Sequence, residues 1–210
     1  MLDELIDRIV GIPAVWHVVQ NILGYPEDKI RMYRSAVMNR GRLLDFGCAS
    51  GHLGEAFAAV DYVGIDCDRR AILGARRRWA ARANMQWVCE DIFTRPFKKG
   101  EFDQVLLGCT FHHLRDSIAI GILKELAYCL RPAGILHVFD PVYQDTDGFA
   151  TRMLRRLDRG KYTRTLDQIA AAITASGEFD LEHAEILAAP RSFWRDCDTG
   201  YLRAVRTIRA

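Results

Sequence analysis

The chain has no apolar run near the roughly 18 to 20 residues that span a bilayer, so integral membrane association is not expected. It also lacks a basic amino-terminal stretch: Met1-Leu2-Asp3-Glu4 is acidic where a secretory signal is basic, and the expected location is cytoplasmic. Charge bias is nearly absent, +2 over 210 residues, which excludes a global field that draws in nucleic acid or an anionic membrane. Arg69, Arg70, Arg76, Arg77, Arg78 and Arg82 spread around their helix instead of forming a basic stripe, so nucleic acid is not an expected partner. Six cysteines, Cys48, Cys67, Cys89, Cys109, Cys129 and Cys197, include no C-x-x-C pair. A chain this long can do without disulfides, and small apolar thiols commonly serve as packing. Cys48, Cys67 and Cys109 at strand ends are the one metal set to weigh, and no metal is expected. Internal repeats, low-complexity tracts and linkers are missing too, so residues 1–210 read as one domain.

What is present is an alternation of strands and helices. Residues 1–40 look helical: Leu2, Leu5, Ile6 and Ile9 share a face, a second segment runs from Ala14 to Leu23, and Pro26 opens a third containing Ile30, Tyr33 and Val37. From there the strands are Leu43–Phe46, Tyr62–Asp66, Met85–Cys89, Phe102–Leu107 and Ile135–Phe139. Helices over about Arg69–Arg82 and Ser117–Leu130 lie between them. Near-continuous apolar strands separated by helices imply a parallel sheet covered on both faces, an α/β fold. Gly148–Leu157 and Leu166–Ala175 read as further helices. Phe179–Leu187 and Tyr201–Thr207 read as two closely linked and therefore antiparallel strands.

The stretch Leu43-Leu44-Asp45-Phe46-Gly47-Cys48-Ala49-Ser50-Gly51-His52-Leu53-Gly54 organises the rest. It reads as a buried strand, a tight turn and the first turn of a helix, with bare backbone for a ligand to lie against. Open amides at that helix start favour an anionic or accepting group. Ligands of such sheets sit at the carboxyl ends of strands where winding reverses, and Asp45, Asp66, Asp91 and Asp140 all fall at strand ends. A dinucleotide fingerprint fits neither reading frame of the glycines, and nothing downstream suggests hydride chemistry.

In order, LLDFGCASG, YVGID, CEDIF, EFDQVLLGCTFHHL and LRPAGILHVFD resemble the motifs of the class I S-adenosylmethionine-dependent methyltransferases, over roughly residues 40 to 142. Ala49 stands where the usual first motif has its middle glycine, and the turn tolerates it if φ is negative there. The resemblance implies a Rossmann-like sandwich with a central, mostly parallel seven-stranded sheet, a reversed last strand, helices on both faces and a helical N-terminal extension. Residues 1–40 would be a lid, 41–142 the cofactor core and 143–210 the acceptor side. It also implies S-adenosylmethionine as cofactor, leaving S-adenosylhomocysteine.

Gly47, Ala49 and Gly51 would run beside the methionine part, while Asp45, Gly108 and Cys109 would hold its amino group. Asp66 would take the ribose hydroxyls and Cys67 would flank the adenine. Asp91 would take the adenine amino group, with Ile92 against the ring. Arg31 or Arg34 would pair the carboxylate.

On the acceptor side, His112 and His113 are the candidate bases, since imidazole titrates near neutral pH. Asp140, Tyr143, Arg159 and Arg164 are the candidate contacts to the substrate. The expected reaction is methyl transfer to a small molecule by in-line displacement, governed mainly by positioning. A lipid or isoprenoid acceptor, or a non-catalytic binding protein of the same fold, are the alternatives. Oligomeric state is not legible in the sequence.

Overall fold

The computed structural model describes residues 26–149, 151–152, 160–187 and 198–208. Its elements are α1 (Pro26–Ala36), β1 (Arg42–Phe46), β2 (Asp61–Ile65), α2 (Arg69–Arg78), β3 (Met85–Val88), β4 (Phe102–Gly108), α3 (Asp116–Cys129), β5 (Leu130–Pro141), α4 (Leu166–Ala175), β6 (Phe179–Leu187) and β7 (Thr199–Arg206). Short 3-10 turns cover Gly54–Phe57, Ile92–Thr94 and Phe111–His113. The expected helices before Gly24, residues 150 and 153–157 of the expected helix Gly148–Leu157, and Arg159 lie outside the described residues.

The strands form one sheet in the order β3-β2-β1-β4-β5-β7-β6. β1 pairs in parallel with β2 and β4, as β2 does with β3 and β4 with β5. β7 runs antiparallel to both β5 and β6. The reversed strand is thus inserted between β5 and β6, and winding changes direction between β1 and β4.

Residues alternate faces along each strand, and both faces are covered. Leu44, Val63, Val105, Leu107, Leu136 and Val138 pack under Ile122, Leu123 and Leu126 of α3 and Ile169 and Ile173 of α4. On the opposite face Leu43, Tyr62, Leu106 and Phe139 pack with Tyr33 of α1, Val37 just after it, Phe57, and Ile72 and Ala75 of α2. Each such large side chain taken fully out of water contributes about 1.5–3 kcal/mol. Gln104, fully buried on β4, accepts from the amide of Met38 and donates to the carbonyls of Met38 and Arg40. That clamp fixes where α1 ends and so where its side chains fall over the sheet.

Three local expectations are corrected. The helix after Gly51 is only the four-residue turn Gly54–Phe57. Its amides are used internally, Gly51 N donating to Cys48 O and Gly54 N to Gly51 O, so no helix N-terminus points at a ligand. Helix α2 stops at Arg78, four residues early, because Trp79 turns out to donate its indole N–H to Gly51 O at 2.7 Å. Strand β5 begins at Leu130, not Ile135, absorbing Ala133 at φ +57°.

Candidate cofactor and acceptor site

The turn after β1 is held by backbone and by β2. Gly47 N and Cys48 N both donate to Ile65 O, at 2.9 and 3.2 Å. Gly51 has φ +64°, and a Cβ there would stand 2.4 Å from the Trp87 ring, so only glycine fits. Ala49 departs from expectation: its φ is +47°, a left-handed conformation that costs an L-residue about 1–2 kcal/mol. The strain is offset locally, since Ala49 N donates to Asp66 Oδ2 at 2.9 Å.

Asp66 follows β2, and its other oxygen accepts from Asp68 N at 2.8 Å. A carboxylate offers about four acceptor positions, so two backbone bonds leave room for ligand hydroxyls. Asp91 follows β3, caps the next turn by accepting from Phe93 N at 3.0 Å, and is exposed. Cys67 sits between these acids: burial first, then Asp66 and, more weakly, Asp91 push its thiol up. Asp66 and Asp91 therefore share one rim. Ile92 turns its side chain into the core at 2% exposure.

Asp45 is buried, and Tyr62 donates its hydroxyl to it at 2.6 Å. Burial raises its carboxyl to about 7, with Tyr62 opposing. β4 ends at Gly108, where a Cβ would meet the Tyr33 hydroxyl at 2.7 Å, and continues into Cys109 at φ +54°. Tyr33 hangs from α1 between Phe57 and Phe139, ring centroids 6.0 and 4.7 Å away. Burial raises its phenol, reinforced by Cys109, Asp45 and Asp140, so these side chains converge on one point. Lys29, one helical turn earlier, donates to Cys109 Sγ at 3.7 Å. Neither Lys29 nor Tyr33 was expected from the sequence; their i, i+4 spacing on a helix preceding the first motif was the available signal. Arg34 donates to Glu55 O at 2.9 Å and pairs with the Glu55 carboxylate at 3.5 Å, and Arg31 is exposed.

The acceptor side is built differently. Asp140, fully buried at the end of β5, accepts on Oδ1 from Phe111 N at 3.0 Å and pairs with His112 Nδ1 at 2.9 Å. Among the described residues its Oδ2 has no hydrogen-bond partner. Burial pushes this carboxyl up, and His112 together with the turn amides pulls it back. The His112 ring lies beneath Gly160, where a Cβ would come within 1.7 Å of Cδ2. Tyr162 N donates to His112 O at 2.9 Å. His113 is exposed, its ring 4.2 Å from that of His112.

Arg164 corrects another expectation. Its Nε and Nη2 donate to Asp116 Oδ1, Nη1 to Phe111 O and Tyr162 O, and Nη2 also to Leu114 O. All five of its donors are engaged, with the guanidinium 4.9 Å above the Phe111 ring. It staples the histidine turn and has no donor left for a substrate anion. Tyr143 is anchored by its amide to Arg164 O at 2.8 Å, with its side chain 41% exposed. Among the described residues no group of three His, Cys, Asp or Glu is placed to hold a metal. Among them, too, no helix is long and apolar enough to cross a membrane.

The sheet is doubly wound, its first strand ends in a positive-φ turn and its next two end in carboxylates on one rim, a layout in which α/β sheets place ligands at the carboxyl ends of strands. Residues 43–134 match the family model described as a methyltransferase domain. In fold, too, the chain is similar to S-adenosylmethionine-dependent methyltransferases. Solved structures agree in fold. An S-adenosylmethionine-dependent methyltransferase of Methanosarcina mazei superposes with TM-score 0.68 at 15% identity, covering 85% of this chain and 98% of that one. The pyocyanin biosynthetic protein PhzM gives 0.74 at 15% identity over 97% of this chain and 61% of its own. The cyclase SpnF gives 0.69 at 17%, covering 87% and 81%. No curated protein matches the sequence.

Proposed function

We propose that the chain moves a methyl group from S-adenosylmethionine to a small acceptor bearing a hydroxyl or amine. The observation that carries this reading is the convergence of Asp45, Asp66 and Asp91 on the carboxyl rim of three neighbouring parallel strands, beside a turn of bare backbone. Asp66 and Asp91 would hold the nucleoside, Ile92 would offer backbone, and Cys67 would flank the base. Asp45 and the backbone at Gly108 and Cys109 would face the amino group. Bound there, the cofactor supplies a methyl carbon already activated by a sulfonium leaving group.

What remains for the protein is alignment, exclusion of water and removal of the acceptor's proton. His113, exposed on the histidine turn, would take that proton. Asp140 and Arg164 act as positioning residues, fixing the backbone that presents it. A histidine turn and a carboxylate on the acceptor side favour a polar acceptor over an isoprenoid. Because one fold hosts unrelated chemistry, as the cyclase among the neighbours illustrates, methyl transfer needs its own test. Calorimetry should give micromolar binding of S-adenosylhomocysteine, and a panel of phenols and amines with radiolabelled methyl donor should show transfer. A protein that binds neither S-adenosylmethionine nor S-adenosylhomocysteine would overturn the reading.

A further inference from the structure

We propose that the acceptor is a planar aromatic compound, held against the exposed rings of Tyr143 and Tyr162 with its hydroxyl or amine at His113. The inference rests on the methyltransferase reading above and narrows its acceptor to one chemical class. It starts from where apolar surface is left uncovered. Among the described residues the exposed phenylalanines and tyrosines are Phe93, Tyr143, Phe149 and Tyr162, while the other large exposed apolar side chains are aliphatic. All four rings lie in segments that follow the carboxyl end of a strand, Phe93 after β3 and the other three after β5. The opposite ends of the strands carry ion pairs instead, Arg42 with Asp61 and Glu101, and Arg131 with Asp103. Single exposed apolar side chains are ordinary on a protein surface. Exposed rings confined to the rim where α/β sheets take their ligands mark a place for a flat apolar partner.

Two of these rings stand on backbone tied to the histidine turn. Tyr162 N donates to His112 O at 2.9 Å, and Tyr143 N donates to Arg164 O at 2.8 Å. Arg164 closes the set, its Nη1 donating to Phe111 O at 3.1 Å and to Tyr162 O at 2.9 Å. At Tyr143 and Tyr162 these anchors are main-chain atoms, so the side chains, 41% and 39% exposed, take no part in them. His113, also exposed, follows in the same turn, its ring 4.2 Å from that of His112. With every Arg164 donor committed, this wall offers ring contact where the sequence suggested an anion clamp. Aromatic pairs stack offset or edge-to-face with centroids about 4.5–7 Å apart. A rigid ring has no internal rotation to freeze when its hydroxyl or amine is aimed at a base.

The test is calorimetry with 1-naphthol and its saturated counterpart 1-decalol, which share a carbon skeleton and carry no charge, so that planarity varies while apolar bulk is kept. On protein loaded with S-adenosylhomocysteine, 1-naphthol should bind about tenfold more tightly than 1-decalol. Tyr143→Ala and Tyr162→Ala should each weaken 1-naphthol by about fivefold to tenfold. Tyr143→Phe and Tyr162→Phe should stay within about twofold, and S-adenosylhomocysteine affinity should do so in every variant. Ile186→Ala, which removes an exposed apolar side chain from β6, should change neither. Equal binding of the two probes, no binding of 1-naphthol, or 1-naphthol binding indifferent to both alanine variants would overturn the proposal. Sedimentation with phosphatidylcholine vesicles that is lost in the alanine variants would give the rings to a membrane surface and overturn it too. Failure of the wild type to bind S-adenosylhomocysteine, measured separately, would instead strike the cofactor reading beneath it.

Discussion

The two halves of the carboxyl rim solve the same problem, holding polar groups at strand ends, by opposite means. Around β1, β2 and β3 the acids Asp66 and Asp91 bond to one or two backbone amides each and keep acceptor capacity for something else. Around β4 and β5 the groups are turned inward and committed to the fold, with Arg164 spending every donor and Asp140 anchoring both Phe111 N and His112 through Oδ1. The first arrangement suits a ligand that comes and goes. The second suits a fixed scaffold that presents one exposed imidazole, His113. Polar residues in the first half should therefore govern binding and those in the second should govern folding, and this division can be broken experimentally.

The largest effect should come from Asp45, a buried acid on the ligand half. Its folded carboxyl titrates at about 7, above the unfolded value near 3.9. Between those values the folded state holds a proton that the unfolded state releases, so stability is full at low pH and declines as pH rises through 7. The decline is bounded by about 4 kcal/mol. Asp45→Asn should flatten it, as read from urea midpoints at pH 5 and pH 8. If a cofactor ammonium meets Asp45, S-adenosylhomocysteine binding near pH 6 should also release a proton, visible as a buffer-dependent enthalpy.

Arg164→Met comes next, removing the guanidinium donors to Leu114 O, Tyr162 O and Asp116 and leaving Phe111 O only the amide of Leu114, at a cost of about 3 kcal/mol. Urea unfolding checks this. S-adenosylhomocysteine affinity, measured where the variant remains folded, should stay within about threefold if the halves are separate. Asp66→Ala should do the reverse, lowering affinity by about thirtyfold or more while shifting stability less, because it removes charged acceptors from the ligand. The smallest effect is Ala49→Gly. Relief of the left-handed strain, less the greater freedom of an unfolded glycine, should stabilise by about 0.5 kcal/mol, measured by thermal melting.

Much of this was legible in the sequence where periodicity and punctuation agree. Leu166–Ala175 is a helix with the expected bounds, closed by Thr165 and Gln168 as a capping box. Phe179–Leu187 is a strand as read, and the antiparallel partner of the last strand follows from their closeness. What escaped depends on contacts between distant residues. Nothing local in Trp79 says that its indole will stop α2 and reach Gly51, or that the segment after Gly51 will remain a single 3-10 turn. Arg164 looked like an anion ligand because a lone arginine near a conceived acceptor site carries no mark of the four carbonyl and carboxylate groups that surround it. Ala49 at positive φ was opaque for the same reason: its support comes from Asp66, seventeen residues on.

One feature of the sheet bears on how the chain emerges from the ribosome. β7 lies between β5 and β6, and among the described residues β6 hydrogen-bonds to no other strand. During synthesis β3, β2, β1, β4 and β5 can assemble the nucleoside rim while the nascent polypeptide is still growing. β6, although made earlier than β7, has only α4 to lean on until residues 199–206 clear the exit tunnel and slide in beside it. β7 acts as a keystone, and a translational pause just before it would leave the five-stranded core with one orphaned edge exposed to chaperones.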